Sequence, residues 1–453
     1  MSDQSGPERY RDVESALLAR WPEGRLEPSL DRIAALCDLL GQPQRAFPVV
    51  HLTGTNGKTS TSRMIDALLS GLGLRTGRFT SPHLERMTER IALDGEEISR
   101  DRFVEVYDEV APYAAVVDRS GQHPLSFFEV VTAMAFAAFA DAPVDAGIVE
   151  VGMGGSWDAT NVADAAVAVV TPIGIDHERF LGDSLGVIAT EKAGIIKPGT
   201  FAVLAHQDLD AAEALLRRAA EVGATVVREG VDFGVQDRIP GIGGQVVTVQ
   251  GLGVPYEDIF LPLHGAHQAQ NAACALAAVE AFAGTQELHG GLDGETVRAA
   301  FAQVASPGRL EVIRRSPTVV LDAAHNPHGA RATAEAVQEA FTFSPLVGVV
   351  GVMADKDVEG LLDALEPILS TIVCTQNSTS RSMAAEALAE VARGSFGPDR
   401  VEVARRLDDA LDLAVGLAEA ADADVIGLGS GGVLVTGSVV TVGEARVLLG
   451  GGR

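Results

Sequence analysis

The chain has 453 residues, with 35 basic against 62 acidic side chains, a formal net charge of −27 and 47% hydrophobic residues. That length exceeds one core and suggests about two or three domains, and the negative charge opposes phosphate backbones, which argues against nucleic acid as a partner. Cys37, Cys274 and Cys374 lie far apart with no C-x-x-C pair, which argues against a disulfide framework or a structural zinc; they read as reduced core thiols.

The first residues, MSDQSGPERYRDVESALL, are charged throughout and lack the apolar core of a signal peptide. The most hydrophobic segment, Val130 to Ala140, is too short for a bilayer, which needs about 20 residues. A cytoplasmic protein with small-molecule substrates, no membrane partner and a monomeric state is expected. Residues 8 to 41 read as one or two amphipathic helices with Leu17, Leu18, Ile33, Leu36 and Leu40 on apolar faces.

Residues 47 to 72 organise the rest. Val49, Val50 and Leu52 form a short apolar run, Gly54-Thr55-Asn56-Gly57-Lys58-Thr59-Ser60 breaks it, and Met64, Ile65, Leu68, Leu69 and Leu72 return at helical spacing. Such a strand, glycine turn and helix aims free backbone N–H groups and the positive dipole end at the loop, which suits a polyphosphate. Lys58 would supply a point charge and Thr59 or Ser60 a Mg²⁺ ligand. The full P-loop pattern wants a glycine where Leu52 stands, so only its second half is present. The shortened GTNGK with hydroxyl residues following resembles the Mur ligase superfamily, whose ATP-dependent members join a carboxylate to an amine.

Further along, Arg78 to Leu84 follows a short predicted strand, and Pro82 holds Ser81 in a loop. Helices are predicted from Asp101 to Val117 and from Ser126 to Ala140, the second opening with Phe127-Phe128-Glu129. AGIVEV over 146–151 and Ala165 to Ile175 read as continuous apolar strands, ending near Glu150 and at Asp176-His177. Continuous strands separated by helices indicate a parallel sheet buried on both faces, with ligands beyond the carboxyl ends, where Gly57, Ser81, Glu150 and His177 fall. Glu150 at the mouth of an apolar strand needs a cation or an arginine. The run after it, Val151 to Asn161, is either a glycine turn with an Asx cap or a set of hard oxygen ligands suited to Mg²⁺. His177 could equally be a core histidine. Lys192, in a predicted helix, is either solvated or buried; a buried lysine loses pKa and can take up CO₂ as a carbamate.

Residues 228 to 263 read as an antiparallel addition, and His267-Gln268-Ala269-Gln270-Asn271 opens an alanine-rich helix. The linker is expected at 306–312, around Ser306-Pro307-Gly308-Arg309, between a domain over 1–305 and another over 313–453. Beyond it, TVVLDAAHN, LVGVVGVMADKD, TIVCTQN and DADVIGLG alternate with helices. The expected fold is α/β: a large P-loop-type, mostly parallel sheet followed by a smaller Rossmann-like domain. Gly427-Leu428-Gly429-Ser430-Gly431-Gly432 matches a dinucleotide fingerprint, but VLVTGSVV after it reads as a strand where a helix is required. Asp322, with His325 one turn on, is either a helix cap or a site, and Ser438 is either functional or only a polar strand end.

Taken together, HLTGTNGKTS, TSPHL, SFFE, EVGMGGSWDATN, IDH, EKAGIIKPG, GAHQAQNAACA, SPGRLE, LDAAHNPHG, ADKD and TGSVVTVGEAR resemble one branch of that superfamily, the folylpolyglutamate and dihydrofolate synthases, over nearly the whole chain. The resemblance implies an ATP-dependent ligase that adds L-glutamate to dihydropteroate or a reduced folate through an acyl phosphate. It implies that Lys58 acts on the phosphates, with Thr59 or Ser60 on magnesium, and that Ser81, Glu150 and His177 are magnesium ligands. It further implies that Lys192 is the lysine carbamylated in the superfamily, and that Asn271, Arg309 and Asp322 touch the nucleotide. Phe128 and Asp158 match the pterin pocket; His325 and Ser438 match residues near the incoming glutamate. Ser156 stands where many relatives have arginine. Two other readings remain: a peptidoglycan Mur ligase acting on a UDP-muramoyl acceptor, and a P-loop nucleotide switch.

Overall fold

The structure is a computed structural model and describes residues 6–21, 28–285, 292–424 and 430–450. In chain order the first part comprises α1 (Gly6–Leu18), α2 (Asp31–Leu39), β1 (Val49–Thr53), α3 (Lys58–Gly71), β2 (Thr76–Phe79), β3 (Ile91–Leu93), β4 (Glu96–Glu97), α4 (Arg100–Ser120) and α5 (Phe127–Asp141). It continues with β5 (Ala146–Glu150), β6 (Ala165–Val170), α6 (Glu178–Leu181), α7 (Leu185–Lys192), β7 (Phe201–Leu204), α8 (Leu209–Val222) and β8 (Thr225–Arg228). Then come β9 (Gly234–Gly241), β10 (Gly244–Gln250), β11 (Pro255–Leu261), α9 (Ala266–Thr285) and α10 (Gly294–Ala302).

Eight strands form one sheet in the order β4-β3-β2-β5-β1-β6-β7-β8. From β2 to β8 every pair is parallel, and β3 and β4 add an antiparallel edge. All five residues of β1 and of β5 are buried, as a strand covered on both faces requires. One face packs Leu17, Leu36, Phe103, Phe136 and Phe139 from the N-terminal helices; the other packs Ile188, Leu204 and Leu215 beneath α7 and α8. The register sets Leu52 of β1 beside Glu150 of β5 and Thr53 beside Val170 of β6, so three strand ends meet where the chain crosses from β5 to β6 over β1. That crossover is the switch point at which open α/β sheets bind ligands.

β6 ends at Val170, not at Ile175 as the apolar run predicts. Pro172 cannot donate to the ladder, and its carbonyl turns back to accept from Thr55 N at 3.0 Å. His177 therefore lies in the loop beyond, with φ +54, as the N-cap of α6.

β9, β10 and β11 form a three-stranded sheet with β10 central. The two-residue connection from Gly241 to Gly244 requires β9 and β10 to be antiparallel. The chain divides into two compact units: residues up to 237, with 247–259 and 270–304, form one; 238–246, 260–269 and everything from 305 form the other.

The second unit contains β12 (Glu311–Arg315), β13 (Thr318–Leu321), α11 (Pro327–Ala340), β14 (Phe343–Val350), α12 (Val358–Leu365), β15 (Thr371–Cys374), α13 (Ala385–Phe396), β16 (Val401–Val403), α14 (Leu407–Asp424), β17 (Ser430–Thr436) and α15 (Val439–Leu448). Its sheet runs β12-β13-β17-β14-β15-β16, parallel except for β12, around a core of Val320, Val350, Leu362, Ile372 and Leu434. Of the predicted DADVIGLG strand, residues 422–424 end α14; residues 425–429, with the first half of the rejected glycine fingerprint, lie outside the described residues. The VLVTGSVV strand stops at Thr436. Gly437 takes φ +105, and Ser438 accepts from Thr441 N at 3.0 Å as the N-cap of α15, so the predicted polar strand end is a helix start.

Candidate active site

The loop from Gly54 to Lys58 joins β1 to α3 as the spacing predicts. Gly54 (φ +144) and Gly57 (φ +88) hold backbone conformations that a side chain would strain. A Cβ at Gly57 would meet Asn271 Oδ1 at 2.5 Å, so this glycine lets the loop pass directly beneath Asn271. Lys58 Nζ donates to the carbonyls of Gly54 and Thr55, both at 3.1 Å. Lys192 Nζ donates to that same Gly54 oxygen at 2.9 Å. Two lysine amino groups therefore share one carbonyl at the N-terminus of α3.

Lys192 closes α7 and is 4% exposed. Burial first, and Lys58 second, lower its pKa from 10.5 to about 7. Of the two readings of this lysine from sequence, the structure selects the buried one, and near pH 7 about half of the amine is neutral and nucleophilic.

Glu150 ends β5 with 1% exposure. Thr59 Oγ1 lies 3.0 Å from both of its oxygens, so the first turn of α3 brings a hydroxyl against the carboxylate. Ser60 is buried one residue on. Ser81 follows β2 in a loop built around Glu89, whose carboxylate accepts from the amides of Leu84, Glu85 and Arg86 at 2.8–2.9 Å. His177 is half-buried and its backbone N–H bonds Asp176 Oδ1 at 2.7 Å. Among the described residues no group of three or more His, Cys, Asp or Glu is placed to hold a metal. The donors that do meet, a carboxylate and a hydroxyl, fit Mg²⁺, which keeps several waters and takes its remaining ligands from phosphates.

The loop after β5 is fastened on two sides. A Cβ at Gly152 would sit 2.5 Å from the Phe128 ring, so Phe128 lies flat on this backbone. Asp158, 3% exposed, accepts from Met153 N and Thr160 N at 3.0 Å. It is thus the Asx cap of the turn, and burial pushes its pKa up to about 6 against the opposing hydrogen bonds. Phe128 and Asp158 are brought to one loop by Gly152 and Met153. On the other side Glu191 accepts from the amides of Gly155 and Ser156 at 3.2 and 2.9 Å and from the Ser156 hydroxyl. Ser156 is therefore a fastening of the loop to α7.

In the second unit, Asp322 follows β13 and accepts from Leu310 N, Ala324 N and Thr333 Oγ1 at 3.0, 3.0 and 2.7 Å. The helix cap is Asn326, which accepts from Gly329 N at 2.8 Å, so of the two readings of Asp322 the helix cap falls away. His325 Nδ1 lies 3.0 Å from Ala323 O; a carbonyl only accepts, so Nδ1 carries a proton. Arg309 donates to Gly308 O at 3.2 Å. Ser438 is 2% exposed; it donates to Thr441 Oγ1 at 3.0 Å and accepts from Asn377 Nδ2 at 3.3 Å. Asn377, in the loop three residues beyond β15, and His267, in the electrostatic field of Asp322 and Arg309, were not singled out from sequence. Their signal lies in contacts between distant segments.

A P-loop mononucleotide unit with Mg²⁺-type oxygen donors, joined to a second doubly wound unit, defines the Mur-type ligases. The family model of the Mur ligase middle domain matches residues 52–279, and that of the Mur ligase glutamate ligase domain matches 308–432. The chain belongs to the folylpolyglutamate and dihydrofolate synthases of the Mur ligase superfamily. The dihydrofolate synthase/folylpolyglutamate synthase of Mycobacterium tuberculosis is 53% identical, over 97% of this chain and 93% of that protein, and its Bacillus subtilis namesake is 33% identical over 88% and 93%. The M. tuberculosis folylpolyglutamate synthase solved with ADP and AMPPCP superposes with a TM-score of 0.94, at 52% identity, over 98% of this chain and 99% of that one. An Escherichia coli relative solved with DHPP and ADP gives 0.84 at 28% identity, over 97% of each chain.

Proposed function

We infer that this chain is an ATP-dependent ligase that joins L-glutamate to dihydropteroate and to the γ-carboxylate of reduced folates. The observation that carries the reading is the convergence of Lys58, Lys192, Thr59 and Glu150 on one P-loop helix terminus, in a chain 53% identical to a relative named for that activity, over 93% of that relative. ATP binds Gly54 to Ser60, with Asn271 above Gly57; by the family resemblance Arg309 and Asp322 are nucleotide contacts as well. Thr59 or Ser60, Ser81, Glu150 and His177 would hold magnesium, which when bound neutralises the triphosphate. Lys58 moves from its loop carbonyls onto the phosphates. The substrate carboxylate then attacks the γ-phosphorus, ADP leaves, and the acyl phosphate is opened by the glutamate amine with release of phosphate. His325 Nε2 takes the amine proton, Ser438 orders the turn facing the glutamate, and Phe128 and Asp158 receive the pterin. A carbamate on Lys192 replaces an unfavourable buried ammonium with an anion.

Residues 1–305 form the ATPase domain, 306–312 the linker and 313–453 the glutamate-ligase domain. The protein works as a cytoplasmic monomer; among the described residues no helix is long and apolar enough to cross a membrane. Purified protein is incubated with ATP, Mg²⁺ and glutamate, with dihydropteroate in one tube and a reduced folate in another, and products are weighed by mass spectrometry. One added glutamyl unit in both tubes is expected. Addition to folate alone reduces the protein to a polyglutamate synthase, and addition to neither overturns the reading.

A further inference from the structure

His51 stands in the middle of β1 with no exposed surface, and the chemistry above makes no use of it. Its Nε2 lies 2.8 Å from Thr160 Oγ1, and that oxygen lies 2.5 Å from Asp158 Oδ1. His51 Nδ1 is buried without a partner.

The protons on this chain follow by counting. A hydroxyl has one proton to give. Were Thr160 to give it to His51, its oxygen would face the Asp158 carboxylate lone pair against lone pair at 2.5 Å, and the imidazole proton would sit on Nδ1, where a buried donor without an acceptor costs about 1–3 kcal/mol. The opposite direction satisfies every donor: His51 Nε2–H donates to Thr160, Thr160 donates to Asp158, and only a bare lone pair remains on Nδ1. Burial holds the ring pKa down to about 3, so the imidazole stays neutral and this donor is permanent. On the carboxylate, Oδ1 takes both the amide and the hydroxyl of Thr160, whereas Oδ2 takes the Met153 amide at 3.0 Å.

We propose that His51 and Thr160 are positioning residues: they lock Asp158 in one orientation and in its acceptor form, so that Oδ2 meets the N–H donors of a pteridine. This rests on the reading that Asp158 belongs to the pterin pocket. A histidine in the centre of a parallel strand thereby selects substrate without touching it.

Two pairs of variants test it. Thr160→Val removes the hydroxyl at equal volume and Thr160→Ser keeps it; His51→Leu removes the donor and His51→Gln keeps an N–H near the Nε2 position. Glutamate-dependent ADP release is measured while dihydropteroate, ATP and glutamate are varied in turn. Thr160→Val and His51→Leu raise the KM for dihydropteroate by about tenfold, the scale of a hydrogen bond to a charged group, and leave the other two KM values in place. Thr160→Ser and His51→Gln stay near the parent, and the Thr160→Val/His51→Leu double variant is no worse than the worse single one, as members of one chain require. Equal movement of all three KM values, additive effects, or unchanged KM values in an active enzyme would overturn the proposal. A parent enzyme without glutamate-dependent turnover would instead overturn the functional reading beneath it. Should His51→Leu melt early, the Thr160 pair alone decides, because its volume does not change.

Discussion

Lys192→Met is expected to make the protein more stable and inactive. In the folded chain the Lys192 pKa falls from 10.5 to about 7 through burial, with Lys58 adding to it. The folded pKa is depressed, so between pH 7 and 10.5 the unfolded chain binds the extra proton; stability is complete above 10.5 and is lost as pH falls toward 7. At 1.36 kcal/mol per pKa unit, carrying this ammonium costs about 4–5 kcal/mol at neutral pH. Methionine has nearly the same length and no charge to bury. Its substitution forfeits the 2.9 Å bond to Gly54 O, about 1 kcal/mol, and leaves a net gain of about 3 kcal/mol. Calorimetric melts in CO₂-free buffer at pH 7, 8 and 9 measure it. The variant should melt higher at pH 7, and the advantage should shrink by about 1.4 kcal/mol per pH unit, while ligase turnover is lost. A melting temperature at or below the parent's at pH 7, or a gap independent of pH, would refute the argument that Lys192 is a destabilising ammonium.

Gly57→Ala combines φ +88 with a Cβ 2.5 Å from Asn271 Oδ1. It should weaken ATP binding by on the order of tenfold, the equivalent of the roughly 1–2 kcal/mol a left-handed alanine costs, read by nucleotide titration calorimetry. Asp66 and Arg78 form a buried ion pair at 2.6 Å, with side chains 2% and 6% exposed. Asp66→Ala leaves the guanidinium uncompensated and should cost about 3–5 kcal/mol in denaturant unfolding, largely recovered in Asp66→Ala/Arg78→Met. His325→Ala should lower kcat by about 10²–10⁴ with the KM for ATP unmoved, measured as glutamate-dependent ADP release; unchanged turnover would remove His325 from the proton-transfer role.

The glycine loop between β1 and α3, the buried parallel strands and the alternation of the second unit were legible because each is written in local periodicity and in glycine placement. Glu150 was legible as a buried carboxylate in need of a partner, but the sequence pointed to a cation or an arginine, and the group the fold brings against it is the Thr59 hydroxyl. What escaped was set by contact between distant segments. Nothing local marks His51 as bonded to Thr160, 109 residues away, or Ser156 as bonded to Glu191, 35 residues away. Asn377 and His267 were missed in the same way. The misread strand ends have a backbone cause: Pro172 and Gly437 stop β6 and β17 inside apolar runs whose composition alone continues them. The three cysteines do behave as core thiols, with burial raising Cys37 and Cys374 to about 12 and Cys274 well above its ordinary value.

The shared Gly54 carbonyl couples Lys58 and the glycine loop electrostatically to Lys192. While Lys58 rests on that oxygen, its charge helps keep the Lys192 proton off. A phosphate that draws Lys58 away removes a repulsive neighbour and brings negative charge closer, and both effects raise the proton affinity of Lys192. Linkage is reciprocal, so the state of Lys192 must in turn alter how tightly phosphate is held. ATP binding to such a loop would be accompanied by proton uptake at neutral pH, and a carbamate formed on Lys192 would retune the affinity for the nucleotide itself.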